Sequence, residues 1–148
     1  NELNVALKKF SEISNRMINE RAELIPGIID FLSELSSKNK KTYVCSGSDQ
    51  KDLRKILANK GMDKFFDGIY GSPRSKSDIL SHILMNDDNL DRGLFFGDAF
   101  SDYEAATSYK MDFIYVSFNS EWINGGKISQ SDSFKTIFSF KDIKINKL

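Results

Sequence analysis

The chain has 148 residues, 40% of them hydrophobic, which suffices for one core and is too short for two full domains. Its 21 basic residues balance 21 acidic ones, so no net field draws it to nucleic acid or to an anionic membrane, and any bound anion has to be held by local groups. A single cysteine excludes an internal disulfide, and no apolar run has membrane-spanning length or the pattern of a signal peptide, so a cytoplasmic protein is expected.

Leu3, Leu7, Phe10, Ile13 and Met17 recur at helical spacing and predict an amphipathic helix over residues 1–22. Ile25-Pro26-Gly27 interrupts it, and Ile28, Ile29, Phe31, Leu32 and Leu35 rebuild an apolar face in a second helix entered through Pro26. Thr42-Tyr43-Val44-Cys45 is short, β-prone and apolar, a strand that delivers Ser46-Gly47-Ser48 to a turn. Asp49 to Lys60 carries Leu53, Ile56 and Leu57 at helical spacing and stops at Gly61. Phe65 to Tyr70 predicts a strand, and Ser75 to Met85 a helix with Ile79, Leu80 and Ile83 facing inward. After the acidic turn Asn86 to Asp91 come a strand at Leu94, a helix after Ser101 and an apolar strand at Phe113 to Val116. Residues 118–132, rich in Ser, Asn and Gly, predict a loop, Phe134 to Phe138 a last short strand, and the Lys-rich end a frayed tail. Strand and helix alternate repeatedly, which calls for parallel strands joined by right-handed crossovers: an α/β sandwich with a doubly wound, mainly parallel sheet.

In such a sheet the carboxyl ends of the strands form the ligand-binding edge. Three strand ends there carry chemistry. One offers Ser46 with the amides of Gly47 and Ser48, one leads through Gly71-Ser72-Pro73-Arg74-Ser75 to Lys76 at a helix start, and the third ends in Gly97-Asp98-Ala99-Phe100-Ser101-Asp102. A hydroxyl and amides can hold phosphoryl oxygens, a lysine can neutralise their charge, and paired carboxylates can hold Mg²⁺. Taken singly, each has a plainer reading: Ser46 as a turn hydroxyl, Lys76 as a solvated cation, Ser101 or Asp102 as a helix cap. Their ordered recurrence at successive strand ends favours a phosphate site. Cys45 reads as a buried strand thiol, His82 as a boundary residue and Arg74 as an exposed loop residue; Trp122 could line a mouth or anchor a loop.

These motifs, in this order, resemble the haloacid dehalogenase superfamily of phosphatases and phosphomutases. Its second motif matches Tyr43-Val44-Cys45-Ser46-Gly47, its third Lys76, and its fourth, Gly-Asp-x-x-x-Asp, matches Gly97, Asp98 and Asp102, so the similarity spans roughly residues 24 to 140. The resemblance implies a Rossmann-like three-layer sandwich over residues 23–148, with residues 1–22 as the end of a helical cap. It further implies that Ser46 and Gly47 bind the phosphoryl group, that Lys76 stabilises phosphate and nucleophile, and that Asp98 is an Mg²⁺ ligand. Asp102 would bind the metal directly or through water, or orient Lys76. The implied reaction is Mg²⁺-dependent hydrolysis of a small phosphorylated metabolite through an aspartyl phosphate; a phosphomutase is the alternative enzyme, and a noncatalytic phosphate-binding or interaction domain the alternative of another class.

The chain departs from the family at the first motif, a strand ending in Asp-x-Asp whose first Asp is the nucleophile. No apolar strand before residue 42 ends in such a pair, and Asp30 falls inside a helix. Without a nucleophile the chain alone is expected to be inactive. In the family that strand lies centrally, between those ending at Ser46 and Asp98. Three arrangements are open: the strand belongs to a missing upstream segment, the flanking strands pair directly, or a second chain supplies it. A first residue that is not Met favours a longer protein.

Overall fold

A computed structural model describes residues 22–87, 93–132 and 134–147. The helix expected over residues 1–22 lies, but for its last residue, outside the described residues. The elements run α1 (Ile28–Ser37), β1 (Tyr43–Asp49), α2 (Gln50–Asn59), β2 (Gly68–Ser72), α3 (Lys76–Asn86), β3 (Leu94–Gly97), α4 (Phe100–Ser108), β4 (Asp112–Val116), α5 (Gly125–Asp132) and β5 (Lys135–Ile137). The alternation is that of an α/β fold, as expected. All pairings are parallel: β1 with β2, and β3 with β4 with β5.

Local chemistry explains the starts and stops. α1 begins after Gly27, whose φ of 84° suits glycine alone. A Cβ there would also lie 2.7 Å from the Lys141 nitrogen. The Asp49 carboxylate accepts the N–H groups of Lys51 and Asp52 and caps α2, which gives way to Gly61 at φ 65°. Ser75 caps α3 by accepting the N–H of Asp78, and Ile79, Leu80 and Ile83 are buried as their spacing predicts.

β4 shows why the fold is layered. Phe113 and Tyr115 enter one hydrophobic cluster with Leu80, Phe95, Ala105 and Ala106, while Ile114 and Val116 enter another with Phe31, Ile137, Phe140 and Ile143. Alternate residues on a strand point to opposite faces, so a strand covered on both sides reads as an unbroken apolar run. Helices α3 and α4 cover one face, and α1 with the C-terminal segment covers the other.

Several boundaries differ from the sequence reading. β1 continues through Ser46 to Asp49, with a register irregularity after Cys45. β2 starts at Gly68 because Asp63–Phe65 form a 3₁₀ turn and Asp67 donates its N–H to the Thr42 carbonyl at 2.8 Å. The expected loop over 118–132 contains helix α5. Its sequence is a poor helix former, but Asn124 O accepts the N–H groups of Lys127 and Ile128, and Gly125 is buried against the Tyr115 ring, so packing overrides propensity. The C-terminal segment is not a frayed tail. Phe140 donates its N–H to the Pro26 carbonyl at 3.0 Å, and Phe140 and Ile143 fill the core beneath α1.

Among the described residues, β1 and β3 are not hydrogen-bonded to each other, so direct pairing of the two strands flanking the expected central position is not formed. α3 packs on β1 and β2 and also against α4, which joins the two sheets on one face.

Candidate active site

The acidic turn is built by β3 and α4. Asp102 is the third residue of α4, only 5% exposed, and its Oδ2 accepts the N–H groups of Asp98 at 3.2 Å and Ala99 at 3.1 Å. Ala99 has no side-chain acceptor for the helix start, so Asp102 reaches back and supplies it, the half of a capping box that an acid at this position can make. Gly97 is required by the closeness of this fold-back: a Cβ there would collide with the Asp102 side chain.

The other oxygen of Asp102, Oδ1, accepts from Lys76 Nζ at 2.7 Å. Lys76 also donates to Ser101 Oγ at 2.9 Å. Lys76 opens α3, whose packing against α4 brings this ammonium group across the two sheets. An ammonium has three donors, so these two partners leave one N–H uncommitted.

Asp98 follows β3, and its exposed side chain lies beside the Asp102 carboxylate. Partial burial, and after it the neighbouring Asp102 carboxylate, raises its pKa above the ordinary aspartate value. A divalent cation placed against Asp98 would relieve both effects, and its hard oxygen donors suit Mg²⁺. Asp102 has both oxygens engaged by Lys76 and backbone amides. No group of three or more His, Cys, Asp or Glu side chains gathers for a metal among the described residues. The side chains present therefore fit part of an Mg²⁺ coordination sphere, with Asp98 as the open carboxylate.

Ser46 lies in β1 and accepts the Ser48 N–H on its Oγ at 3.1 Å, which leaves the hydroxyl hydrogen to donate. Among the described residues, no hydrogen bond joins Ser46 or Gly47 to the Lys76 group. The link between them is Cys45, whose Sγ touches the Lys76 carbonyl at 3.8 Å. Gly47 is exposed, and a Cβ there would meet nothing within 4 Å. Burial pushes the Cys45 thiol up to about 11, so it is protonated at neutral pH and is no nucleophile. His82 packs edge-on against Tyr70, and Arg74 is exposed.

One residue near the site escaped the sequence reading. Ser120 donates to the Asp98 carbonyl at 2.6 Å while its Oγ accepts from Tyr115 Oη at 2.9 Å and the Trp122 N–H at 3.1 Å. It ties the loop after β4 to the acidic turn. Its only sequence signal is its place just beyond a parallel strand's carboxyl end, shared by every residue of that loop. Trp122 both anchors this loop, stacking on Phe134 and meeting Tyr115 edge-on at 5.2 Å, and lines a cavity beside Asp98.

A parallel α/β fold with a lysine and two carboxylates at its ligand edge defines a class broad enough to include many phosphate-handling proteins. The sequence narrows it: residues 1–116 match the haloacid dehalogenase-like hydrolases, and the chain belongs to that family. Solved structures agree on the fold. A haloacid dehalogenase-like family hydrolase from Streptococcus pneumoniae is 24% identical with a TM-score of 0.69, matching 81% of this chain and 58% of its own. A phosphatase candidate from Clostridium difficile is 20% identical with a TM-score of 0.75, matching 93% of this chain and 67% of its own. The candidate hydrolase YfnB of Bacillus subtilis, solved with magnesium, is 16% identical with a TM-score of 0.66, matching 86% of this chain and 56% of its own. The chain thus spans little more than half the length of several structures it resembles. No curated protein matches it significantly.

Proposed function

We propose that this chain is the phosphate-binding and acidic part of an Mg²⁺-dependent phosphatase acting on a small phosphorylated metabolite. The observation that carries the proposal is the Lys76 ammonium group, held at 2.7 Å by Asp102 and at 2.9 Å by Ser101 beside the open carboxylate of Asp98. Held on two sides, Lys76 keeps one N–H for a phosphoryl oxygen without searching rotamers. Ser46 has a free hydroxyl proton for a second oxygen. Asp98 would hold Mg²⁺, which when bound supplies neutralising charge to the phosphoryl group. The aspartyl nucleophile would come from an Asp-x-Asp strand outside this sequence, seated between β1 and β3. Neighbouring strands lie about 4.8 Å apart, so such a strand would bring its end beside both Ser46 and Asp98.

The test joins the chain to its upstream coding segment and measures phosphate release from a panel of phosphate esters. Release that requires Mg²⁺ and is lost in Lys76→Ala and Asp98→Asn is expected, with none from residues 1–148 alone. No release from the joined protein, with an Asp-x-Asp segment confirmed in it, would overturn the proposal.

A further inference from the structure

A cavity of about 470 Å³ opens beside the acidic turn, lined by Asp98, Ala99, Phe100, Asn119, Glu121 and Trp122. Phe100 and Trp122 give it two aromatic walls. Phe100, the first residue of α4, is 48% exposed, and its ring stands 5.8 Å from that of Trp122 at an interplanar angle of 62°. Trp122 is fixed from behind by Tyr115, Tyr103 and Phe134 and through its N–H by Ser120. The two rings therefore present a preformed corner.

The charged groups lining the cavity are of one sign. Asp98 and Glu121 bring carboxylates, and no lysine or arginine lines it. Glu121 and the Asn119 side chain have no hydrogen-bond or ion-pair partner among the described residues. The faces of aromatic rings are electronegative and attract cations. The Glu121 carboxylate, joined by that of Asp98 when no Mg²⁺ is bound there, repels an anion and adds to that attraction. An alkylammonium group answers both features, since its carbons pack on the rings and its charge faces the acids. A neutral polyol could use the acceptors but would leave the Glu121 charge uncompensated.

We propose that this cavity binds an organic ammonium group, and that it receives the alcohol side of an amino-alcohol phosphate ester. The second half rests on the phosphatase reading; the binding of the cation does not. Phe100, Glu121 and Trp122 then determine specificity, disfavouring esters whose alcohol carries a carboxylate.

Trp122 is the chain's single tryptophan, so its fluorescence reports the cavity directly. The chain is titrated at constant ionic strength with tetramethylammonium chloride, with neopentyl alcohol as the neutral isostere, glucose as a polyol and sodium acetate as an anion. A saturable change is expected with tetramethylammonium alone, and Glu121→Gln and Phe100→Ala should each weaken it about fivefold. Both residues are exposed, and an unchanged urea midpoint in each variant verifies the fold. No saturable response to tetramethylammonium, an equal response to neopentyl alcohol, tighter binding of glucose, or indifference to Glu121→Gln would overturn the proposal. Cation binding without phosphate release from the joined protein would sink the phosphatase reading and leave the cation site standing. Phosphate release without cation binding would do the reverse.

Discussion

Asp102 is the point where stability and the candidate chemistry meet, and its replacement makes the most discriminating test of the site. The side chain is 8% exposed and accepts three hydrogen bonds: one from Lys76 at 2.7 Å and two from the N–H groups of Asp98 and Ala99. Removing one partner of a buried ion pair costs about 3–5 kcal/mol. Lys76 keeps Ser101, and its side chain is 21% exposed, so a value below that range applies. Asp102→Asn keeps the shape and an oxygen for the two amides but turns an amide donor or an uncharged acceptor toward the ammonium, for an expected loss of about 2 kcal/mol. Asp102→Ala also strands both amides, each costing about 1 kcal/mol, and should lose about 4 kcal/mol. Urea unfolding reads these values if the slope stays that of the parent. A cycle with Lys76→Met isolates the pair and should give a coupling of about 1–3 kcal/mol. An Asp102→Ala loss below about 1 kcal/mol, or no coupling to Lys76, would refute the reasoning.

Other consequences follow from single contacts. Ser120→Ala frees the Asp98 carbonyl, the Tyr115 hydroxyl and the Trp122 N–H from one shared partner; it should cost about 1–2 kcal/mol and red-shift Trp122 fluorescence, and an unchanged spectrum would contradict the tie. Gly27→Ala forces an alanine to φ 84° against the Lys141 backbone, so its urea midpoint should fall by the equivalent of about 2 kcal/mol; a parent-like midpoint would show that the contact yields freely. For Cys45 the folded pKa of about 11 lies above the ordinary 9.0, so the folded chain keeps its proton where the unfolded chain loses it. Stability therefore declines as pH rises through that window. Iodoacetamide labelling of the folded chain, followed by mass spectrometry, should keep accelerating to pH ~10, and a plateau near pH ~9 would show an ordinary thiol.

Periodicity carried most of the helices because burial is local in its cause. Ile79, Leu80 and Ile83 share one face of α3 by helical spacing alone, and that face is buried. The apolar run Phe113 to Val116 reads as a strand covered on both faces, and it is one. The same logic failed where distant partners do the stabilising. Helix α5 carries two glycines at its start and forms because Gly125 seats against Tyr115; the C-terminal segment orders because Phe140 and Ile143 complete a core begun by Phe31. Neither contact leaves a pattern within its own segment.

The candidate site divides the same way. Ser46, Lys76, Asp98 and Asp102 could be named from the sequence because a parallel α/β chain sends every strand end to one edge, and the order of residues then fixes which groups arrive there. The sequence alone also revealed the missing Asp-x-Asp pair, since a motif is either written in the chain or not. Only the tertiary structure decided what each group does on arrival. It engages both oxygens of Asp102 with Lys76 and two amides, leaves Asp98 as the open carboxylate, ties the acidic turn to Ser120, and sets Phe100 beside Trp122. Those partners lie 22 to 26 positions apart in three of the four cases, and contacts across such distances depend on how helices and loops pack, which no local spacing encodes.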